Sequence, residues 1–170
     1  MSRESQIQLL ERLTQSDLQN GGPSWQSLIP PETNRLALIR EALSLRQGNH
    51  RAIGLQLAAG LADDDKKELF PDFMQLARAA HGPIGFVRAW IASLPRAWVL
   101  ERIDPHVEAI LRDEEYDDYW MMLELLEHIA PDKAAKLAKR ARAHKNPEIR
   151  ELGELAQERL AGRRMDVVAP

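Results

Sequence analysis

The sequence contains no cysteine, which excludes disulfides, thiolate metal sites and cysteine nucleophiles at once and leaves no redox clue to the compartment. It has no surplus of positive charge either, since 23 Lys and Arg stand against 26 Asp and Glu for a formal net charge of −3. Without a global positive field to gather nucleic acid, any such site must be local. No apolar run approaches membrane-spanning length, and Met1-Ser2-Arg3-Glu4-Ser5 leads into a mixed segment that lacks the apolar core of a signal peptide. The expectation is a soluble, cytoplasmic chain that engages no membrane.

Motifs that carry chemistry are just as scarce. His50, His81, His106, His128 and His144 fall among turns and helix edges, with no His-x-x-x-His pair, no Gly-rich phosphate loop and no strand-turn-helix setting for a nucleophile. The acidic runs 63–65 and 113–118 lack the spaced ligands and central glycine of a calcium loop, and suit the positive end of a helix better. No catalytic residue, metal or cofactor is expected from these patterns. A catalytic pair assembled from distant parts of the chain stays open, because sequence spacing does not reveal it.

What the chain does have is helical periodicity. Its 170 residues suffice for one domain with a substantial core. The plainest stretch is 146–160. Asn146 suits a helix cap, Pro147 suits the first helical position, and Ile149, Leu152, Gly153, Ala156 and Leu160 recur at helical spacing. Residues 5–20 read as a short amphipathic helix ending at the Gly21-Gly22-Pro23 breaker, and Trp25, Leu28 and Ile29 as a packing loop before Pro30-Pro31 marks a new start with Glu32 in its first turn. Paired helices follow, with first members near 32–47, 64–80, 104–112 and 131–144. Their second members begin near Asn49, Pro83, Tyr116 and Asn146, a spacing of roughly thirty to thirty-four residues that matches two-helix repeats. Pro95 and Pro105 bracket an extra short helix at 96–103. The organisation expected is a flanking helix and loop at 1–31, repeats at 32–161, and a flexible tail at 162–170.

The second helices superpose. With Val87, Tyr119 and Ile149 in one column, Trp90, Met122 and Leu152 follow three residues on, and Ile91, Leu123 and Gly153 four on. Ile53 and Leu57 begin the column in the first copy, where Gln56 and Gly60 occupy two core places and suggest a degraded end unit. On these residues, Pro147-Glu148-Ile149-Arg150-Glu151-Leu152-Gly153 with Ala156 and Leu160 resembles the second helix of a HEAT-like (armadillo-type) repeat, and Val87-Arg88-Ala89 is a partial second match. Tyr119-Trp120 and Ile53-Gly54 depart from the aliphatic-arginine pair of that pattern. The resemblance implies an all-α fold, a short right-handed α-solenoid of stacked antiparallel helix pairs, and a chain that holds another macromolecule.

The helix beginning at Tyr116 has more apolar residues than one stripe needs, and at about 100° per residue its solvent arc holds Asp117, Trp120, Glu124 and Glu127. On the concave face of a solenoid, an aromatic among acids suits a cationic peptide or basic protein. The plainer alternative packs Trp120 on the neighbouring helix and leaves the acids as a solvated edge. Arg88 and Arg150 share the column of Trp120. They serve either as inter-unit ties, Arg150 to Asp117 or Asp118, or as partner contacts. Lys133, Lys136, Lys139, Arg140, Arg142 and Lys145 form a basic stretch without acids, but its place on a first helix puts it on the convex side and argues against nucleic acid. The expected function is that of a non-enzymatic protein-binding module, an adaptor or an inhibitor of immunity type. A nucleic-acid-binding protein and an enzyme on a helical scaffold are the alternatives.

Overall fold

A computed structural model describes residues 2–20, 28–45, 48–78 and 84–168. Trp25, the Gly21-Gly22-Pro23 breaker and the His81-Gly82-Pro83 turn lie outside the described residues. Every regular element among those described is helical: α1 Arg3–Asn20, α2 Arg35–Ser44, α3 Gly48–Ala59, α4 Asp63–Ala77, α5 Ile84–Ala92, α6 Arg96–Ile110, a 3-10 turn Leu111–Asp113, α7 Tyr116–Ile129, α8 Pro131–Arg142 and α9 Pro147–Val168. None of the described helices is long and apolar enough to cross a membrane.

Local chemistry explains where these helices start and where the sequence reading slips. The helix expected from Glu32 begins instead at Arg35, because the Asn34 side chain accepts the Ala37 N–H at 3.0 Å while Thr33 N–H turns back to the Pro30 carbonyl at 3.0 Å. Pro105 does not divide the third unit. Residues 96–110 form one helix with Pro105 inside it, since the buried stripe Val99, Ile103, Val107 and Ile110 continues past the proline. Pro105 and Glu101, whose carbonyl loses its helical partner, both lie on the exposed side, where that carbonyl is open to solvent. Pro71 is likewise carried on an exposed position of α4. At the other end α9 continues to Val168, past the Ala161 boundary read from sequence.

The chain divides into two compact units, Met1–Asp72 and Phe73–Pro170, where its length suggested one. In the first, Leu9, Leu10 and Leu13 of α1 meet Ile29, Leu38, Ala42 and Ile53, with Leu45 and Leu57 packed against them. The α2–α3 crossing is close because residue 54 is glycine: a Cβ there would stand 2.8 Å from the Cβ of Ala42. In the second unit, Phe73 stacks on Trp90 with ring centroids 3.5 Å apart. Helix α7 is enclosed on most sides, with Tyr119, Met121, Met122, Leu123, Leu125 and Leu126 all buried. The α8–α9 crossing is closer still. A Cβ on Gly153 would meet the Arg142 nitrogen at 2.7 Å and the Ala138 oxygen at 2.8 Å.

The first copy of the column requires a correction. Gln56 and Gly60 are exposed, and the buried side of α3 carries His50, Ile53 and Gly54. The register therefore sits three residues earlier than the sequence pattern suggested, and Gly54, not Leu57, corresponds to Gly153.

Candidate functional site

Helices α5, α7 and α9 together bound a groove of about 570 Å3, lined by Gly85, Arg88 and Ala89, then Glu124, Glu127 and His128, then Arg159. Three of the six residues singled out from sequence, Arg88, Glu124 and Glu127, come together there. Glu124 is the meeting point, accepting Arg88 Nη2 on Oε2 at 2.5 Å and the Trp120 indole N–H on Oε1 at 2.8 Å. Glu127 is not on the solvent arc. Its side chain is 5% exposed and receives Arg159 as a fork, with Nη2 to Oε1 at 2.6 Å and Nε to Oε2 at 3.1 Å. The hydrogen bonds to Glu127 hold the Arg159 guanidinium above the usual arginine range.

Trp120 lies beside this groove and is 38% exposed, as is Tyr116 one turn earlier. The two rings are tilted with centroids 6.4 Å apart. Trp120 is thus tethered through its N–H and still partly exposed, between the two positions considered for it from sequence. Asp117 is exposed and does not line the groove.

Arg150 lies elsewhere. Its guanidinium donates to the carbonyls of His144 at 3.0 Å and Lys145 at 2.9 Å, so it ties the α8–α9 turn and does not reach Asp117 or Asp118. Arg51 does the same work in the first unit, reaching back six residues to the Leu45 carbonyl at 3.4 Å. Asp118, which is buried, takes Arg78, the residue just past α4, at 2.7 Å, and that bond raises the guanidinium pKa above the usual range.

The basic stretch is largely answered within the chain, chiefly by α6, not by the acidic start of α7. Lys133 pairs with Asp104 at 2.6 Å and Arg140 with Glu108 at 2.8 Å. Lys145 pairs with Glu114 at 2.9 Å, a contact that holds the Glu114 carboxyl below its usual range. The sequence separations of the pairs between α6 and α8, α7 and α9, and α5 and α7 are 29 and 32, 32, and 36 residues.

In chemical terms the groove holds two arginines and two carboxylates that neutralise each other, with an accessible aromatic pair at its side. Among the described residues, no three His, Asp or Glu side chains gather as metal ligands. Arg159 and His128 are the groove residues that sequence reasoning missed. The signal for Arg159 was present as an arginine 32 residues after Glu127, within the spacing of roughly thirty to thirty-four residues read from sequence. His128 offered no such signal. No family model, curated protein or solved structure matches the chain.

Proposed function

We propose that the chain is a HEAT-like right-handed α-solenoid that acts as a non-enzymatic protein-binding module, an adaptor or an inhibitor, with the second-helix face of α5, α7 and α9 as its contact surface. The repeat reading is supported by the ion pairs 29 to 36 residues apart, close to one two-helix period. The observation that carries the binding reading is the exposed Trp120–Tyr116 pair beside a charge-balanced groove. Paired charges exclude a wholly ionic mode of capture, whereas accessible aromatic area beside them is what interface hot spots are made of. Asp117 adds an exposed carboxylate that suits a partner of basic character.

The test combines retention of a partner from source-cell extract with melting. Trp120→Ala is expected to weaken retention by about 2 kcal/mol with a melting transition close to that of the parent, because the ring is not buried. Lys136→Ala, on α8, is expected to change retention by less than about 1 kcal/mol. Unaltered retention by Trp120→Ala sinks the reading. Salt-sensitive retention of DNA, lost on changing Lys136 and Arg140, favours the nucleic-acid alternative.

A further inference from the structure

Arginine in the second unit is almost fully committed. Arg78, Arg88, Arg102, Arg140 and Arg159 each hold a carboxylate, Arg142 holds Gln157, and Arg150 holds two turn carbonyls. Among the described residues, the side chains of Arg96 and Arg112 make no hydrogen bond or ion pair, and of the two it is Arg96, the first residue of α6, that lines a cavity. That cavity, of about 270 Å3, is bounded by Ile91, Leu94 and Val99 on its apolar side, by Ile129 and Pro131 across from them in sequence, and by Ala92, Arg96 and His128, which are exposed. No carboxylate lines it. This distinguishes it from the cavity between α6 and α8 and from the groove beside Trp120, where each lining arginine already has its acid.

Much of the backbone at the end of α5 and at the α7–α8 junction is also committed. At the end of α5, Ser93 N–H donates to the Ala89 and Trp90 carbonyls, Leu94 N–H donates to the Ile91 carbonyl, and Ser93 Oγ donates to the Trp90 carbonyl at 2.7 Å. At the α7–α8 junction, Ala130 N–H donates to the Leu126 carbonyl and the Ala130 carbonyl accepts from Lys133 and Ala134. What is left on the lining side chains to recognise a ligand is apolar surface, a guanidinium and an imidazole, beside the uncapped start of α6. An apolar pocket with a few convergent polar groups is the usual form of a small-ligand site.

We infer that this cavity binds an aliphatic carboxylate, with a short branched chain against Ile91, Leu94 and Val99 and the carboxylate on Arg96, assisted by His128. The guanidinium fork matches a carboxylate in both charge and shape. The volume of about 270 Å3 holds a short aliphatic chain with space to spare. The ligand is either a free branched-chain acid or the C-terminal residue of a peptide, which present the same chemistry. Because Arg96 is exposed, the ion pair is screened and affinity is expected on the order of millimolar, so the experiment must resolve weak binding.

The intact chain is titrated with 4-methylpentanoate, 4-methylpentanamide, acetate and inorganic phosphate while amide chemical shifts are followed. A second series uses an acetylated dipeptide ending in leucine, with a free and with an amidated C-terminus. The expected result is saturable shifts confined to residues 91–99 and 128–131 for the branched acid, with the amide binding about tenfold more weakly. Arg96→Gln is expected to remove that difference and Arg112→Gln to leave it intact. Ala92→Phe, which fills the mouth from an exposed position without disturbing the core, is expected to abolish the shifts. Stronger binding of the free dipeptide than of the acid assigns the site to a partner's C-terminus, and the reverse assigns it to a small metabolite. Equal binding of acid and amide, equal binding of acetate or phosphate, or no shifts at these positions overturns the inference. Trp120 is untouched by these variants, so failure here is separable from failure of the groove reading.

Discussion

Helix pairs α2–α3 and α8–α9 lie in different units, yet the same residues do the same work in both. Leu38, Ala42, Arg51 and Gly54 recur as Leu137, Ala141, Arg150 and Gly153, each ninety-nine residues later. In each pair the glycine sits against the alanine twelve residues before it, and the arginine reaches back to the carbonyl six residues before it. The difference lies in what surrounds this shared framework. Gly60 faces open space where Arg159 holds the buried Glu127, and Gly54 abuts a methyl group where Gly153 abuts backbone. A helix pair thus keeps its crossing and its turn while its ties to the next helix vary.

The strongest way to break the comparison is Gly153→Ala. In an open helix position this change gains up to about 1 kcal/mol. Here the new methyl meets the Arg142 nitrogen and Ala138 oxygen at 2.7 and 2.8 Å, and backbone cannot step aside. A net loss of about 3 kcal/mol is expected in denaturant unfolding, and a stabilised variant would show that the crossing is not close.

Arg159→Met tests the tie that α3 lacks. It leaves the 5%-exposed Glu127 carboxylate without its fork. Loss of about 2 kcal/mol is expected, below the range for a fully buried pair because Arg159 itself is partly exposed. Glu127→Gln in the same background should recover part of that loss, since a neutral amide costs less to leave buried. Absence of any recovery would mean that packing of the arginine stem, not charge, makes the contact.

Gly54→Ala should cost about 1 kcal/mol, less than its counterpart because the obstruction is the Ala42 methyl. That obstruction is removable. Ala42→Gly combined with Gly54→Ala moves the methyl across the crossing and should restore most of the loss beyond the helix-propensity cost of the new glycine. No single side-chain exchange can rescue Gly153→Ala, because its obstruction is backbone. Equal rescue in both pairs would erase the distinction.

The smallest expected effect is at the turn arginines. Arg150→Gln gives up two carbonyl bonds at 3.0 and 2.9 Å, and Arg51→Gln gives up one at 3.4 Å. A loss of about 1 kcal/mol is expected for the former and under about 0.5 kcal/mol for the latter, read as a difference in denaturation midpoint at constant slope. A larger effect at Arg51 would reverse the ranking drawn from these distances.

Much of this framework was legible before any coordinates. The buried stripe of α9, the enclosure of α7 and the start of α8 at Pro131 follow from periodicity and from the chemistry of proline and small residues. The first-unit register was legible too, but in a different signal. The match of Arg51 and Gly54 to Arg150 and Gly153 was available, whereas aligning Ile53 with Ile149 by hydrophobicity put Gln56 and Gly60 in the core. Apolar stripes tolerate such a slip because neighbouring columns on a helix are both partly buried. A glycine at a close crossing does not.

The sequence by itself determined that this chain is helical, where most of its helices begin, and which faces carry apolar residues, because these depend on neighbours within about four positions along the chain. Tertiary structure alone decided which charges remain free. Glu127 belongs to the polar arc of α7 by position on the wheel and Asp118 to its apolar side, yet Arg159 of α9 and Arg78, just past the end of α4, meet both with charge. Arg88, Arg140 and Lys133 are likewise spent on carboxylates 29 to 36 residues away. Trp120 keeps exposed area and Arg96 keeps a charge without a partner among the described residues, and no local pattern of residues records that.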